Sequence, residues 1–251
     1  MEKILDIGEL AIIIPVLNCL DYTKAMLPTI KTKHPYKLIL IDNGSTDGTW
    51  KFFVKQQKNY NVFAARFIDN YGVSAAWNYG IRKAIDTYNS QYFFIPNNDV
   101  LLHPETIDVL IDTLAFPDVV LSTATNISGR VASPEDVLGL KRPSKKKLKP
   151  APDFSCFMLS KEAIDKVGYF DERFFPAYFE DNDYHYRIKL AGLKASKTNQ
   201  SLYFHYGSRT IKNNEEVRNK SNLGYIANRN YYKEKWGGRP GKERFIKPFN
   251  K

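Results

Sequence analysis

Short apolar runs rich in β-branched and aromatic residues alternate along the chain with longer amphipathic stretches. Turn residues such as Gly, Asn, Asp and Pro bound each apolar run. This alternation is typical of βαβ units, in which a helix crosses over the sheet between two parallel strands. The pattern therefore predicts an α/β fold, with a Rossmann-like, mostly parallel sheet and flanking helices.

The individual elements follow from the period of the apolar positions. Strands are predicted over residues 10–16, 37–41, 62–68, 91–95, 119–123, 154–159 and 201–205. Helices are predicted over residues 21–31, 47–58, 73–88, 104–114, 181–190 and 213–236, with one more from Ser160. Pro28 interrupts the first of these helices, because proline lacks the N–H group that a helix interior needs.

A change of composition divides the chain. Residues 126–153 lose the periodicity and are rich in Pro, Ser, Gly and Lys, so they are predicted to form a loop. They separate a first half over residues 1–125 from a second half over residues 154–212. Residues 213–251 form a polar tail with helical periodicity. At 251 residues and 43% hydrophobic content, the chain suits one large domain, residues 1–212, with this small appendage.

The net charge of +10 is concentrated in part in a basic loop that begins at Lys141 and ends at Lys149, where six of nine residues are cations. Such a run is compatible with a solvated loop or with attraction to a membrane surface, a nucleic acid or a phosphorylated substrate. No stretch reaches the roughly 18 apolar residues of a membrane span, and residues 1–9 lack the pattern of a signal peptide. We therefore expect a cytoplasmic protein, and the basic loop would allow peripheral contact with the inner membrane surface.

Polar and turn residues follow the first three predicted strands, at the sheet edge where open α/β folds bind ligands. These candidate ligand-binding residues are Pro15, Asn18, Asp42, Asn70, Gly72 and Asn78. Asp42 directly ends the second strand, so its carboxylate could accept a hydrogen bond from a nucleobase. Gly72 would let the backbone approach a ligand closely. Loops favour Gly, Asn and Asp without any function, and it is the coincidence at three strand ends that indicates a site.

The fourth predicted strand is followed by Asn97, Asn98 and Asp99. A hard divalent cation such as Mg²⁺ or Mn²⁺ takes oxygen ligands and keeps several waters when it bridges a diphosphate, so one or two protein carboxylates suffice. Asp99 is the candidate metal ligand at this position. The alternative is that Asp99 is a turn residue ahead of the next helix.

Three carboxylates, those of Glu180, Asp181 and Asp183, lie within four positions where a helix is predicted to begin. Acidic residues are favoured there by the free N–H groups and the helix dipole, without any catalysis. Three of them exceed the needs of capping, and crowding of like charges raises the pKa of one toward a value useful for a general base. The pattern leaves both interpretations open. Asp183 and Arg187 lie four residues apart and are predicted to pair on the helix surface.

Seven segments in this order resemble glycosyltransferase family 2, whose members have the GT-A fold: IIIPVLN, LIDNGSTDGT, NYGVSAAWNYG, IPNNDV, VGYFDERFF, YFEDNDYHYR and LYFHYG. The resemblance covers residues 11–207. It implies an inverting glycosyltransferase that moves a sugar from a UDP- or dTDP-sugar to an acceptor hydroxyl with Mn²⁺ or Mg²⁺. It also implies that Asp42 contacts the nucleobase, beside the backbone near Pro15. The Asn97, Asn98 and Asp99 segment would replace the family's DXD motif, with Asn in place of the first Asp.

The resemblance assigns roles in the second half of the chain as well. It implies that Asp181 is the general base and that Glu180 orients the acceptor. Related GT-A enzymes often place a histidine after this helix as a further metal ligand, and His205 matches that position. Without the resemblance, His205 at the end of a predicted strand would be interpreted as a structural residue.

Two other classes of function stay open. A nucleotidyltransferase also uses a metal and an α/β domain, but it would show a Gly-rich, Lys-bearing phosphate loop near the N-terminus, which this chain lacks. A catalytically impaired sugar- or nucleic-acid-binding module on the same fold is favoured by Asn97 and the basic loop, and opposed by Glu180 and Asp181. The sequence does not identify the acceptor, which we expect to be a glycan, a lipid-linked glycan or a nucleic acid.

Overall fold

The computed structural model describes residues 9–150, 153–207 and 215–251. Its strands are β1 (Leu10–Val16), β2 (Tyr36–Asp42), β3 (Val62–Arg66), β4 (Tyr92–Pro96), β5 (Val100–Leu102), β6 (Val119–Asn126), β7 (Leu148–Lys149), β8 (Cys156–Ser160) and β9 (Lys194–His205). Its α-helices are α1 (Leu20–Met26), α2 (Thr49–Gln56), α3 (Val73–Tyr88), α4 (Thr106–Leu114), α5 (Lys161–Val167), α6 (Glu180–Leu190) and α7 (Glu215–Trp236).

The strands form one sheet with the order β3-β2-β1-β4-β8-β6-β9-β5, and β7 pairs with β9. β1 is parallel to β2 and β4, and β2 is parallel to β3. β8 is antiparallel to both of its neighbours, β4 and β6, so β6 runs in the direction of β4, and β9 is parallel to β6. Six strands therefore run one way, while β5, β7 and β8 oppose them. The predicted α/β fold with a mostly parallel sheet is confirmed.

Helices cover both faces of the sheet. Ile13 and Ile41 belong to one apolar cluster with residues of α3, α5 and α6, and Ile12 and Leu40 belong to a second cluster with residues of α1, α2 and α4. Because both faces are buried, the strands read as continuous apolar runs rather than alternating ones. α3 lies directly on β1, since a Cβ atom at Gly80 would come 2.3 Å from the Cγ2 atom of Ile13.

The element boundaries differ from prediction where polar residues mask the pattern. β9 begins at Lys194 rather than at residue 201, because its charged first half is held by pairing with β6 and β7 rather than by apolar alternation. β5 has only three residues and gave no separate signal. α1 ends at Met26 and a 3-10 turn follows over Leu27–Thr29, as the proline in that turn requires.

The basic loop is fixed to the sheet along much of its length. Its last residues form β7, which pairs with Thr198 and Lys197 of β9. The backbone N–H of Lys147 donates to Asn199 Oδ1 at 2.7 Å, and Gln200 Nε2 donates to the carbonyl of Pro143 at 2.9 Å. The predicted loop therefore has a defined path, and its lysines at positions 141, 145, 147 and 149 are exposed.

α7 packs against α6 through a buried polar network. Lys235 lies 2.7 Å from both Asp171 and Asp183, and Trp236 Nε1 donates to Asp183 at 2.8 Å. Arg187 Nε also lies 2.8 Å from Asp183, whose side chain is fully buried. The predicted pair of Asp183 and Arg187 therefore forms, but it is buried rather than on the helix surface, because α7 covers it. In the described part of the chain, no helix has the length and apolar character needed to span a bilayer.

Candidate active site

The loops that follow β1 and β2 are tied together by Asn18. This residue has a left-handed backbone conformation with φ 59°, and its Oδ1 atom accepts from the backbone N–H of Thr46 at 2.8 Å. Its own backbone N–H donates to Ser45 Oγ at 2.8 Å. Pro15 lies within β1 opposite Ile41 of β2. Asn18 thus fixes the relative position of two loops at the carboxyl edge of the sheet.

Asp42 is fully buried at the end of β2. Its Oδ1 atom accepts from the backbone N–H of Ser45 at 2.7 Å, whereas its Oδ2 atom has no hydrogen-bond partner in the described structure. Arg66 Nε lies 3.4 Å from Oδ2, and Arg66 is the register partner of Asp42 on β3. A buried acceptor without a hydrogen bond is unfavourable, so Oδ2 is suited to accept an N–H group from a ligand.

The loop after β3 is held by a pair of asparagines. Asn43 Nδ2 donates to Asn70 Oδ1 at 3.1 Å, and Asn43 Oδ1 accepts from the backbone N–H of Tyr71 at 3.0 Å. Gly72 has φ 86°, and a Cβ atom there would lie 3.0 Å from Phe175 Cδ2. At Gly72 the loop after β3 therefore lies close against the segment that leads to α6.

Asn78 lies on α3 and is buried. Its Oδ1 atom accepts from the backbone N–H of Phe170 at 2.9 Å, and its Nδ2 group donates to the Phe170 carbonyl and to Glu172 Oε1 at 2.9 and 2.7 Å. Asn78 thereby positions the chain before α6.

Asp99 and His205 come together at the sheet edge. Val100 of β5 pairs with His205 of β9, and this register brings His205 Nε2 to 3.0 Å from Asp99 Oδ1. Asn98 is buried and its amide donates to Thr23 Oγ1 at 3.0 Å, while the backbone N–H of Asn97 donates to the carbonyl of Ser155 at 2.8 Å. Of the three residues after β4, Asp99 is the one that meets the histidine.

The Asp99 and His205 pair has the chemistry of a partial site for a divalent cation. An aspartate oxygen and an imidazole nitrogen are both ligand atoms for Mn²⁺, and two protein ligands leave positions for a diphosphate and water. No group of three or more His, Cys, Asp or Glu side chains suited to a metal occurs among residues 9–150, 153–207 and 222–251. The pair therefore fits a cation that is shared with a substrate rather than one held by a full set of protein ligands.

Glu180 and Asp181 begin α6. The helix is preceded by Phe179 as N-cap, which makes no side-chain capping bond, and Asp181 Oδ1 accepts from the backbone N–H of Asn182 at 2.7 Å. Glu180 is buried and its Oε2 atom has no hydrogen-bond partner in the described structure. Burial, and then the neighbouring Asp181 carboxylate, raise the pKa of Glu180 to about 8. Burial also raises the pKa of Asp181, and the negative charge of Asp153 raises it further.

A cavity of about 540 Å³ separates the start of α6 from α7 and the residues after it. One wall carries Glu180 and Asp181. The other wall carries residues of the predicted tail, namely Tyr225, Arg229, Lys233 and Arg239. The tail thus contributes side chains to the same cavity as the carboxylate pair.

Comparison with known proteins decides the family. The family model described as "Glycosyl transferase family 2" matches residues 11–168, which is more than half of the chain and includes Asp42 and Asp99. The chain belongs to glycosyltransferase family 2.

Two curated relatives of this glycosyltransferase family 2 member cover much of its length. Chondroitin synthase of Pasteurella multocida (strain Pm70) is 26% identical over 224 residues, with 73% of this chain and 23% of that protein covered. N-acetylglucosaminyl-diphospho-decaprenol L-rhamnosyltransferase of Mycobacterium tuberculosis (strain ATCC 25618 / H37Rv) is 27% identical over 200 residues, with 65% of this chain and 64% of that protein covered. The chain therefore spans less than two thirds of either relative.

A solved structure supports the fold. The mannosyltransferase PcManGT from Pyrobaculum calidifontis, in complex with GDP-Man and Mn²⁺, matches with a TM-score of 0.60 and 15% sequence identity, over 82% of this chain and 60% of that one. At this identity the likeness shows the fold alone. The GT-A type predicted from the sequence is confirmed.

Two residues beside Asp42 were not among the predicted site residues. Asn43 follows Asp42 directly, and Arg66 lies within the predicted strand over residues 62–68, so a parallel register of this strand with the preceding one would have placed Arg66 beside Asp42. Tyr225, Arg229 and Lys233 repeat every four residues, which places them on one face of α7. The spacing is visible in the sequence. The sequence does not show that this face of α7 lines a cavity with the start of α6.

Glu180 should make the protein less stable as pH rises. The ordinary pKa of this side chain is 4.5 and its pKa in the fold is about 8. Between these values the folded state binds more protons than the unfolded state, so the free energy of unfolding falls with rising pH. Glu180→Gln, which cannot ionise, should lose this fall and gain a few kcal/mol over the parent at pH 9.

The measurement is the thermal unfolding midpoint from pH 5 to pH 9. Glu234→Gln is the matched control, because Glu234 is exposed on α7. Parallel pH curves for the parent and Glu180→Gln would show that Glu180 ionises at its ordinary pKa.

Proposed function

We propose that this protein transfers a sugar, with inversion, from a nucleotide-sugar donor to an acceptor hydroxyl and uses Mn²⁺ or Mg²⁺. The observation that carries the proposal is the pair formed by the buried Glu180 and the half-buried Asp181 on the wall of a cavity, in a chain that belongs to glycosyltransferase family 2. Names of relatives such as chondroitin synthase and rhamnosyltransferase support the same reaction.

Asp42 supports a uridine or thymidine donor. Uracil and thymine each present one N–H group, at N3, which suits Oδ2, the one carboxylate oxygen of Asp42 that accepts no hydrogen bond in the described structure. Guanine presents two adjacent N–H donors and would need both carboxylate oxygens, of which Oδ1 already accepts from Ser45. The PcManGT neighbour carries GDP-Man, so a guanosine donor is the alternative that the test must address.

Asp99 and His205 are the residues that would hold the metal. When bound, the cation would neutralise the negative charge that develops on the departing diphosphate. The Mn²⁺ in the PcManGT complex supports this choice of ion. Asn97, which replaces the first acidic residue of the DXD motif, would contact the ribose, as its amide can both donate and accept hydrogen bonds.

Asp181 is the proposed general base. It would take the proton of the acceptor hydroxyl while the acceptor oxygen forms a bond to the anomeric carbon and the bond from that carbon to the diphosphate breaks. A single displacement of this kind inverts the configuration and needs one base. Glu180, with its pKa of about 8, is largely protonated at neutral pH, so it would donate a hydrogen bond that orients the acceptor.

Among the acceptor classes, a lipid-linked glycan is favoured by the name of the rhamnosyltransferase relative, which includes a diphospho-decaprenol. The exposed lysines of the basic loop would then contact an anionic membrane surface.

Asp42→Ala should weaken the binding of UDP with Mn²⁺ by about 10- to 100-fold, because one charge-assisted hydrogen bond to the base is lost. The measurement is isothermal titration, with circular dichroism to verify folding. Asp86→Ala is the control, since Asp86 is exposed on α3. An unchanged dissociation constant for UDP in Asp42→Ala would remove Asp42 from nucleobase recognition, and tighter binding of GDP than of UDP by the parent would reverse the base assignment.

A further inference from the structure

We propose that the acceptor is a sugar that carries a phosphate group, and that Arg229, Lys233 and Arg239 bind this phosphate. The proposal rests on the proposed function and names the substrate class for the acceptor side of the site.

α7 turns one face toward the cavity. Tyr225, Arg229 and Lys233 are spaced four residues apart, so they lie in a row along the helix, and Arg239 follows shortly after the helix ends. All three cations are exposed, and none forms an ion pair with a carboxylate in the described part of the chain. The cavity therefore has a wall of three positive charges available to a ligand.

A fourth cation of the same helix shows the contrast. Lys235 is buried and lies 2.7 Å from both Asp171 and Asp183, so its charge is neutralised within the protein. Lys235 thus attaches α7 to α6, whereas the cations on the cavity face of α7 form no ion pair with the residues that the structure describes. A structural role accounts for Lys235 and not for Arg229 or Lys233.

The facing wall does not cancel this charge. Glu180 and Asp181 are the acidic side chains on that wall, and burial favours the neutral form of Glu180 at neutral pH. Three cations then face about one negative charge, so the cavity attracts anions. Two guanidinium groups and an ammonium group are the donors that bind a phosphate through several charge-assisted hydrogen bonds.

Aromatic side chains beside the cations suit a sugar ring. Tyr178 and Tyr225 line the cavity with ring centroids 5.4 Å apart, and both rings are more than a third exposed. Half-exposed tyrosines offer apolar area to the C–H face of a sugar and a hydroxyl to its polar edge. The volume of about 540 Å³ is within the usual range for a small-molecule site and accommodates a phosphorylated monosaccharide.

The cations are separate from the proposed metal pair. Neither Asp99 nor His205 lines this cavity. The diphosphate of the donor would meet the metal at that pair, so the phosphate bound by α7 is a second one, on the acceptor.

The test is isothermal titration of the parent, saturated with UDP and Mn²⁺, with glucose 1-phosphate, methyl glucoside and methyl glucuronide. We expect glucose 1-phosphate to bind about tenfold or more tightly than methyl glucoside. Arg229→Gln/Lys233→Gln should lose this preference while its affinity for UDP stays within about twofold of the parent. Lys242→Gln/Lys247→Gln removes the same charge from exposed positions outside the cavity and should keep the preference.

A second arm distinguishes the source of the phosphate. Co-sedimentation with phosphatidylcholine vesicles, with and without a polyprenyl glucosyl phosphate, measures binding to the lipid-borne form. Binding of either form that depends on Arg229 and Lys233 supports the proposal. Equal affinity for glucose 1-phosphate and methyl glucoside together with no dependence on the lipid phosphate would overturn it, as would a methyl glucuronide that binds as tightly as the phosphate. If UDP itself fails to bind, the proposed function fails instead.

Discussion

Asp181→Asn is expected to reduce the rate of sugar transfer by about two to four orders of magnitude, which is the usual contribution of a general base. The substitution nearly preserves the volume of the side chain and removes its ability to take a proton. Asp181 Oδ1 accepts from the backbone N–H of Asn182 at 2.7 Å, a bond that the Oδ1 atom of an asparagine can also accept, so folding should be little affected. The affinity for UDP with Mn²⁺ should stay within a few-fold of the parent.

The measurement is the initial rate with an acceptor that the parent uses, at saturating donor. Asp86→Asn, on the exposed face of α3, is the matched control. A near-parental rate in Asp181→Asn together with a large loss in Glu180→Gln would assign the base to Glu180. If both variants stay active, the pair is the start of a buried helix and the base lies elsewhere.

Asp99→Ala is expected to abolish the metal dependence of nucleotide binding and to lower turnover by about two orders of magnitude or more, since metal ions contribute several kcal/mol to the stabilisation of departing phosphates. In the parent, UDP should raise the thermal midpoint clearly with Mn²⁺ and weakly with EDTA. In Asp99→Ala, both conditions should give the weak response. His205→Ala should show a smaller loss of metal dependence and of turnover, because the Asp99 carboxylate remains to bind the metal.

Thermal shift with UDP, in Mn²⁺ and in EDTA, measures this effect, and Asp86→Ala is its control. An Asp99→Ala variant that keeps the parental difference between Mn²⁺ and EDTA would rule out Asp99 as a metal ligand. Its contact with His205 would then be a structural hydrogen bond at the strand end.

The sequence predicted the parts of the fold that depend on local pattern. β1 has the predicted bounds, Leu10–Val16, because its apolar run is continuous and ends in turn residues. α3 likewise has the predicted bounds, since Gly72 and Asn89, both with positive φ, delimit it. The polar first half of β9 was missed because pairing with two strands, rather than residue type, determines it.

The candidate site likewise has residues that the sequence predicted and contacts that it did not predict. Asp42 ends β2 and Asp99 lies three residues after β4, at the edge of the sheet where the fold class alone indicates a ligand. The 3.0 Å contact of Asp99 with His205 joins residues 106 positions apart and depends on the register of β5 and β9. The contribution of α7 to the cavity depends on how this helix docks, which the contacts of Lys235 with Asp171 and with the buried Asp183 determine. Packing of this kind has no local pattern, so the sequence predicted only a polar tail where the structure has a cavity wall.

The most direct test of the proposed function is the release of nucleoside diphosphate from UDP-, dTDP- and GDP-sugars, with water as the acceptor, in Mn²⁺ and in EDTA. This measurement needs no knowledge of the natural acceptor. We predict slow release from a uridine or thymidine donor in Mn²⁺, and none above background in EDTA. A folded protein that neither releases nor binds the nucleotide of any of these donors would contradict the assignment of this family member as a nucleotide-sugar-dependent glycosyltransferase.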